Sequence, residues 1–281
     1  MEPRLSTRLL TLQRILSESP RLIVAFSGGV DSTTLLKVAT DHLGADRVLA
    51  VTSRSESLAA REVKECVRLA AVIGVPLRFV NTRELDLPQY RKNDANRCYF
   101  CKYTLFATLL RTARELGYDR VVFGAIRDDY ADIRPGLLAA RELAVGAPLA
   151  EAGFSKAEVR ALARHYQLPN AEKPASACLA SRIPTGTPVS AAVLSQVERA
   201  EEDLWQRGFG RVRVRHHGEI ARIEVDPEEF PRIVADAAGI SARLREVGYR
   251  FVTLDLVGYQ TGGRAGSGSP RQEALDGHPV P

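Results

Sequence analysis

With four cysteines, one methionine and one tryptophan among 281 residues, and aromatics at 6%, the chain is poor in the residues that staple small secreted folds or build stacking platforms. Cys66, Cys98, Cys101 and Cys178 are too few and too uneven for a disulfide framework in a chain this long, so they are expected as thiols or as ligands. No apolar run approaches the roughly 20 residues that cross a bilayer. The start, MEPRLSTRLLTLQRILSESP, reads as an amphipathic helix and lacks the apolar region and cleavage site of a secretory leader. A cytoplasmic protein with no membrane partner is the expectation. A dense basic tract is also missing, and no RNA-binding module or aromatic platform is recognisable, which argues against nucleic acid as the partner. The net charge of +5 and pI near 9.1 suit a ligand that carries phosphate or carboxylate.

What the chain has is βαβ grammar. Short apolar strands at Leu22–Phe26, Val48–Val51, Leu77–Val80 and Arg120–Phe123 alternate with helical stretches starting near Ser32 and at 58–74 and 101–117. Fully apolar short strands between helices predict an α/β fold, a doubly wound parallel sheet covered on both faces. A helix at about 155–167 opens on Ser155 with Glu158 three residues on, the spacing of a capping box. After an irregular segment, 168–190, the pattern is a helix at 190–207, strands at about 211–216 and 219–225, a helix near Pro227 and a strand at 251–256. That is a second, smaller α+β domain. The expected division is 1–185, 186–260 and a Gly-, Ser- and Pro-rich disordered tail at 261–281.

Between the first strand and its helix lies Ser27-Gly28-Gly29-Val30-Asp31-Ser32. Glycines permit a tight turn that aims backbone N–H groups at an anion, the helix N-terminus adds partial positive charge, and the hydroxyls of Ser27, Ser32 and Thr33 can donate to phosphate oxygens. The Lys-Ser/Thr pair of a Walker A loop is absent; Lys37 stands a full turn inside the helix. The string instead resembles the SGGxDS signature of PP-loop ATP pyrophosphatases, which cleave ATP between the α and β phosphates to form adenylates. That resemblance implies ATP and Mg²⁺ as cofactors, with Asp31 beside the metal or the adenylate. The end of the second strand, Val51-Thr52-Ser53, is the expected adenine seat, because ligands of open parallel sheets lie outside the strand C-termini.

Cys98-Tyr99-Phe100-Cys101 has metal or redox spacing, and two thiolates are an incomplete zinc site. Cys178, among small residues in Lys173-Pro174-Ala175-Ser176-Ala177-Cys178-Leu179-Ala180-Ser181-Arg182-Ile183-Pro184, is the third thiol. Three cysteines can hold a [4Fe-4S] cluster and leave one iron open to a sulfur species. A chance CxxC pair and a buried loop thiol remain the plain alternatives. Cys66, on a helix, reads as a small core residue.

From Gly124 to Gly186 the sequence resembles the LarE family, the sulfur-inserting enzymes of nickel-pincer cofactor biosynthesis. With the PP-loop and RVRVRHHGEIARIEV, the resemblance spans roughly residues 15–258. It implies that ATP adenylates a carboxylate of a pyridinium-3,5-biscarboxylic acid mononucleotide, with sulfur then displacing AMP to give a thiocarboxylate. Cys178 matches the sulfur carrier. Some members sacrifice that cysteine's sulfur and are left with dehydroalanine; others hold a [4Fe-4S] cluster on three cysteines, and Cys98 and Cys101 place this chain with the second group. A sulfur-donating partner and a homo-oligomer, a hexamer, are implied as well.

Arg134 and Arg182 are the expected phosphate or carboxylate contacts, with Arg213 or Arg215 as a third; surface ion pairs are the alternative for each. Asp128, Asp129 and Asp132 read equally as a metal site or as turn and cap residues. Glu201 and Glu224 can reach a metal, but a solvated face is the favoured reading. The sequence departs from the LarE pattern at Ile126, Ile133 and Thr185 and in the Asn170-Ala171-Glu172 segment, all around the acceptor pocket. A tRNA thiolase with a [4Fe-4S] cluster, an ammonia-using amide-forming synthetase and a nucleotide sensor are the other readings of the same PP-loop.

Overall fold

A computed structural model describes residues 2–131 and 134–260. The chain runs α1 (Pro3–Ser17), β1 (Leu22–Ala25), α2 (Val30–Leu43), β2 (Val48–Arg54), α3 (Ala60–Ile73), β3 (Leu77–Asn81), α4 (Pro88–Arg91), α5 (Arg97–Leu116) and β4 (Arg120–Phe123). It continues with α6 (Pro135–Glu142), α7 (Pro148–Glu151), α8 (Lys156–His165), α9 (Ala191–Gln206), β5 (Val212–His217), β6 (Ile220–Val225), α10 (Phe230–Ala235), α11 (Ala237–Val247) and β7 (Phe251–Leu254). Short 3-10 turns at Glu84–Asp86, Arg127–Ala131, Leu179–Arg182 and Pro227–Glu229 complete the described elements.

The first four strands form a parallel sheet in the order β3-β2-β1-β4. Alternate residues of β1 serve opposite faces. Leu22 and Val24 join a core with α1, α2, α3 and α8, whereas Ile23 joins one with α5 and Ala140 of α6. Two-sided burial explains why the central strand β1 is apolar throughout, whereas the edge strand β3 carries exposed Arg78 and Asn81. The capping box at α8 forms as its spacing predicts, the Ser155 side chain accepting from the Glu158 N–H while Glu158 accepts from the Ser155 backbone.

A second, three-stranded sheet, β5-β6-β7, pairs β5 with β6 antiparallel and β6 with β7 parallel, backed by α9 and α11. Several elements differ from the sequence reading: α4, α6 and α7 stand where no helix is expected, and the helix expected near Pro227 is divided into α10 and α11. The helix expected at 101–117 begins at Arg97, because the Asp94 carboxylate accepts from the Asn96 N–H at 2.9 Å and starts the turn early. Both cysteines of the CxxC therefore lie on its first two turns. The last strand stops at Leu254, where Asp255 turns the chain: its carbonyl accepts from the Gly258 N–H and its side chain from the Val257 N–H.

One apolar cluster bridges the position where the sequence suggests a domain boundary. Tyr90 of α4 packs with Leu179, Ala180 and Ile183 and with Leu194 and Val197 of α9. Among the described residues, no helix is long and apolar enough to cross a membrane. The tail at 261–281, together with Asp132 and Ile133, lies outside the described residues.

Candidate active site

Where β1 ends, the chain turns through Gly28 at φ +68° so tightly that a Cβ there would sit 3.1 Å from the Cys66 sulfur. Gly124, at the end of β4, approaches just as closely: a Cβ would fall 2.7 Å from the Ser32 nitrogen. No side chain caps the N-terminus of α2 at Gly29, so its first-turn amides remain for an anion. The Ser27 and Ser32 hydroxyls meet at 3.1 Å beside them. Thr33 does not join this set. Its buried hydroxyl donates to the Gly29 carbonyl at 2.8 Å and accepts from Asn170 Nδ2 at 2.9 Å, while Asn170 also donates to the Gly28 carbonyl. Thr33 and Asn170 brace the loop from behind. Thr52 is likewise committed, since its buried hydroxyl donates to the Phe26 carbonyl at 2.8 Å; contact with a nucleotide from this position falls to the backbone.

Asp31 projects from the first turn of α2 and receives both of its hydrogen bonds from Lys156 Nζ, at 2.8 and 2.7 Å. Burial pushes its carboxyl up from the ordinary range, and Lys156 opposes that. Asp128 accepts from the Lys156 backbone N–H, and Asp129 accepts from the Ile126 N–H and from Arg134. Both aspartates thus act in turns and caps, and Arg134, more than half exposed, is held by Asp129 at the rim.

Around the cysteines, Asn93 is the organising residue. Held at φ +57°, it donates through Nδ2 to the Pro184 and Thr187 carbonyls, each at 2.8 Å, and its Oδ1 accepts from Arg97. Arg97 also donates to the Ala180 carbonyl at 2.7 Å, and the Val189 N–H to the Arg91 carbonyl at 2.8 Å. These bonds fasten the segment after Cys178 to the start of the CxxC helix. Cys98 and Cys178 are exposed, whereas Cys101 is half-buried against that apolar cluster. Its thiol donates to Glu84 at 3.8 Å, and burial pushes its pKa to about 12. Cys66 is fully buried under the PP-loop, its pKa raised to about 11 by burial. Among the described residues no three His, Cys, Asp or Glu side chains stand together as a metal site.

Arg182 is almost entirely buried. Its Nε and Nη2 grip Glu201 at 2.8 and 3.0 Å, and its Nη1 donates to the Ala177 and Cys178 carbonyls at 2.7 and 3.1 Å. The expectation that Arg182 contacts a ligand is thereby corrected: its donors are spent on Glu201 and on the backbone that carries Cys178. Glu201 and Glu224 are not on a solvated face either, being only 2% and 5% exposed. Four guanidiniums share them, Arg182 and Arg61 on Glu201, Arg215 and Arg222 on Glu224. Arg215 also donates to the Ser181 carbonyl at 2.8 Å. Arg213, 5% exposed, has no carboxylate partner among the described residues.

Comparison with known proteins fits this geometry. Residues 1–134 match the model of a PP-loop domain family. The chain is 37% identical over 258 residues to pyridinium-3,5-bisthiocarboxylic acid mononucleotide synthase of Lactiplantibacillus plantarum, covering 92% of this chain and 94% of that one. The chain belongs to that synthase's family, the LarE family. As a LarE-family member it is an ATP-dependent sulfur transferase of the adenylate-forming, PP-loop type. An uncharacterized protein of Synechocystis is 42% identical over 92% of this chain and 97% of its own length. Another from Methanocaldococcus jannaschii is 26% identical over 90% of this chain.

Three residues of this LarE-family site escaped the sequence reading: Lys156, Asn93 and Arg97. Lys156 left a trace. A cation in the first turn of a helix opposes the helix dipole, which is a reason to look for a carboxylate elsewhere. Asn93 and Arg97 carry no such mark, because their partners are backbone carbonyls about 90 residues away.

Proposed function

We propose that the protein adenylates a carboxylate of pyridinium-3,5-biscarboxylic acid mononucleotide and replaces its activated oxygen with sulfur delivered through Cys178. The observation that carries this reading is the arginine-rich, buried ground immediately behind Cys178. Arg182 and Arg215 hold the backbone of Cys178 and Ser181, and Arg213 has no carboxylate of its own among the described residues. Such a cation suits a phosphate or carboxylate of the acceptor.

In the first step an acceptor carboxylate oxygen attacks the α-phosphorus, and pyrophosphate departs as the bond to the β-phosphate oxygen breaks. The amides after Gly29 and the hydroxyls of Ser27 and Ser32 hold the leaving group. Lys156, transferred from Asp31, neutralises its charge, and Asp31 would then be free to hold Mg²⁺, which would supply further screening of pyrophosphate charge. In the second step, on the sacrificial route, the Cys178 thiolate attacks the acyl carbon and AMP leaves with its oxygen; loss of the Cys178 Cα proton then breaks the Cβ–Sγ bond, releasing the thiocarboxylate and leaving dehydroalanine. A thiolate is nucleophilic at neutral pH, whereas the unactivated carboxylate is a poor electrophile.

Cys98, Cys101 and Cys178 are the proposed ligands of a [4Fe-4S] cluster. Their thiols suit iron, and the Tyr90 hydroxyl, buried beside this cluster of residues with no hydrogen-bond partner, is an orphan donor that a sulfide can satisfy. With Cys178 as a ligand instead of the nucleophile, such a cluster would supply an open iron for the sulfur to be transferred. The experiment measures pyrophosphate release from ATP with either the pyridinium dicarboxylate mononucleotide or tRNA as acceptor. Stimulation by the mononucleotide alone is expected; stimulation by tRNA alone defeats the reading. Iron and sulfide analysis after anaerobic reconstitution tests the cluster. An iron-free protein whose mass falls to that of dehydroalanine at Cys178 after one turnover assigns the sacrificial route instead.

A further inference from the structure

We propose that Tyr259 is a positioning residue of the acceptor site, its ring holding the Arg213 guanidinium in place for an anionic group of the acceptor. The inference rests on the acceptor reading above and deepens it. After β7 the chain reverses at Gly258, whose φ of +80° lies in the left-handed region. The approach is so close that a Cβ there would sit 2.9 Å from the Val225 carbonyl oxygen and 3.1 Å from Pro227. Only glycine makes this turn without displacement. The Tyr259 N–H then donates to the Val225 carbonyl at 2.8 Å, returning the chain against the end of β6.

That return lays the Tyr259 ring between two guanidiniums, Arg211 at 4.8 Å and Arg213 at 4.6 Å from its centroid. The Gln260 carbonyl accepts from Arg213 Nη1 at 3.2 Å. Arg211 has Asp226 at 3.5 Å. Among the described residues Arg213 has the ring and the carbonyl and no carboxylate, although it is 5% exposed. Its cross-strand neighbour Glu224 gives Oε1 to Arg215 and Arg222, and Glu224 Oε2 accepts no hydrogen bond. Burial and the nearby Arg182 and Arg215 depress the Arg213 pKa, the signature of a cation lacking its counter-charge. An aromatic face and a carbonyl dipole compensate such a cation only in part. An anion arriving at Nη1 is the better partner, and it takes the place of the Gln260 carbonyl while the ring keeps the guanidinium from turning away.

The test uses full-length Tyr259→Ala, Tyr259→Phe and Gly258→Ala proteins. Pyrophosphate release gives the KM for the pyridinium mononucleotide and for ATP, and calorimetry gives the affinity for inorganic phosphate. Tyr259→Ala is expected to raise the acceptor KM and weaken phosphate binding about thirtyfold, the scale of a desolvated cation–π contact, with the ATP KM unchanged. Tyr259→Phe keeps the ring and stays near wild type. Gly258→Ala, which displaces the turn and leaves the ring intact, follows Tyr259→Ala. Unchanged acceptor KM and phosphate affinity in Tyr259→Ala overturn the proposal, as does an ATP KM that rises in step or a wild-type protein that binds no phosphate. If the wild type binds phosphate but ignores the pyridinium mononucleotide, the acceptor reading fails and the phosphate comparison still decides the role of Tyr259.

Discussion

Lys156 Nζ contacts both carboxylate oxygens of Asp31, across 125 residues of sequence, at 2.8 and 2.7 Å. The first turn of α8 is thereby bound directly to the PP-loop, where the loop enters the first turn of α2. Without nucleotide the lysine charge is spent on the aspartate; with pyrophosphate present, both charges have better partners. Replacing Lys156 by Met is expected to slow pyrophosphate release about 100- to 1000-fold, the range for loss of one preorganised donor to developing negative charge. Lys156→Arg should recover part of it. A single-turnover assay at saturating ATP checks this; an unchanged rate in Lys156→Met removes the lysine from the reaction.

The Arg182–Glu201 pair is buried on both sides, so removing one partner strands the other. Glu201→Gln is expected to lower the unfolding free energy by about 3 kcal/mol, the low end for a broken buried pair because Arg61 loses the same partner only at the surface. Chemical denaturation measures it. Arg182→Lys keeps the charge but not the fork, so it should impair sulfur transfer more than pyrophosphate release.

Gly124 permits the close approach of β4 to the start of α2. Gly124→Ala must push the Ser32 backbone away, and ATP affinity should fall at least about tenfold, a cost of only about 1.4 kcal/mol. Isothermal titration with a non-hydrolysable ATP analogue gives the number, and wild-type affinity would falsify the assignment.

Thiol reactivity should separate the cysteines in the absence of iron. Exposed Cys98 and Cys178 are expected to be alkylated first at pH 8, with Cys101 and Cys66 resisting. A thiol titrating at about 12, like Cys101, holds only about one part in ten thousand as thiolate at pH 8. The same burial has a stability consequence. Cys66 titrates near 11 in the fold and about 8.5 in an unfolded chain, so the folded state holds its proton more tightly. That contribution is complete below about pH 8.5 and is lost as pH rises toward 11. Cys66→Ala should flatten this alkaline decline in melting temperature.

The sheet was legible because apolar strands between helices have one arrangement that buries both faces, and the PP-loop because six contiguous residues carry it. The capping box at Ser155 and Glu158 was legible for the same local reason. Arg182, Glu201 and Glu224 were not. Charged residues on β5, β6 and α9 resemble a solvated face until the strands pair and bring guanidinium to carboxylate, and sequence spacing holds no trace of that. Thr33 was misread in the opposite sense: its hydroxyl looks available, yet the Gly29 carbonyl of the PP-loop claims it.

The Arg182 fork has a mechanical meaning. It takes its purchase on α9 through Glu201 and holds the Cys178 carbonyl in the same hand, while the PP-loop takes its bearings from the parallel sheet. The PP-loop and Cys178 thus belong to different frames of reference, joined where Tyr90 packs on Leu179, Leu194 and Val197. A small slip at that joint displaces sulfur relative to phosphate without loosening either core. Substitutions there should therefore uncouple ATP cleavage from sulfur transfer before they lower the melting temperature.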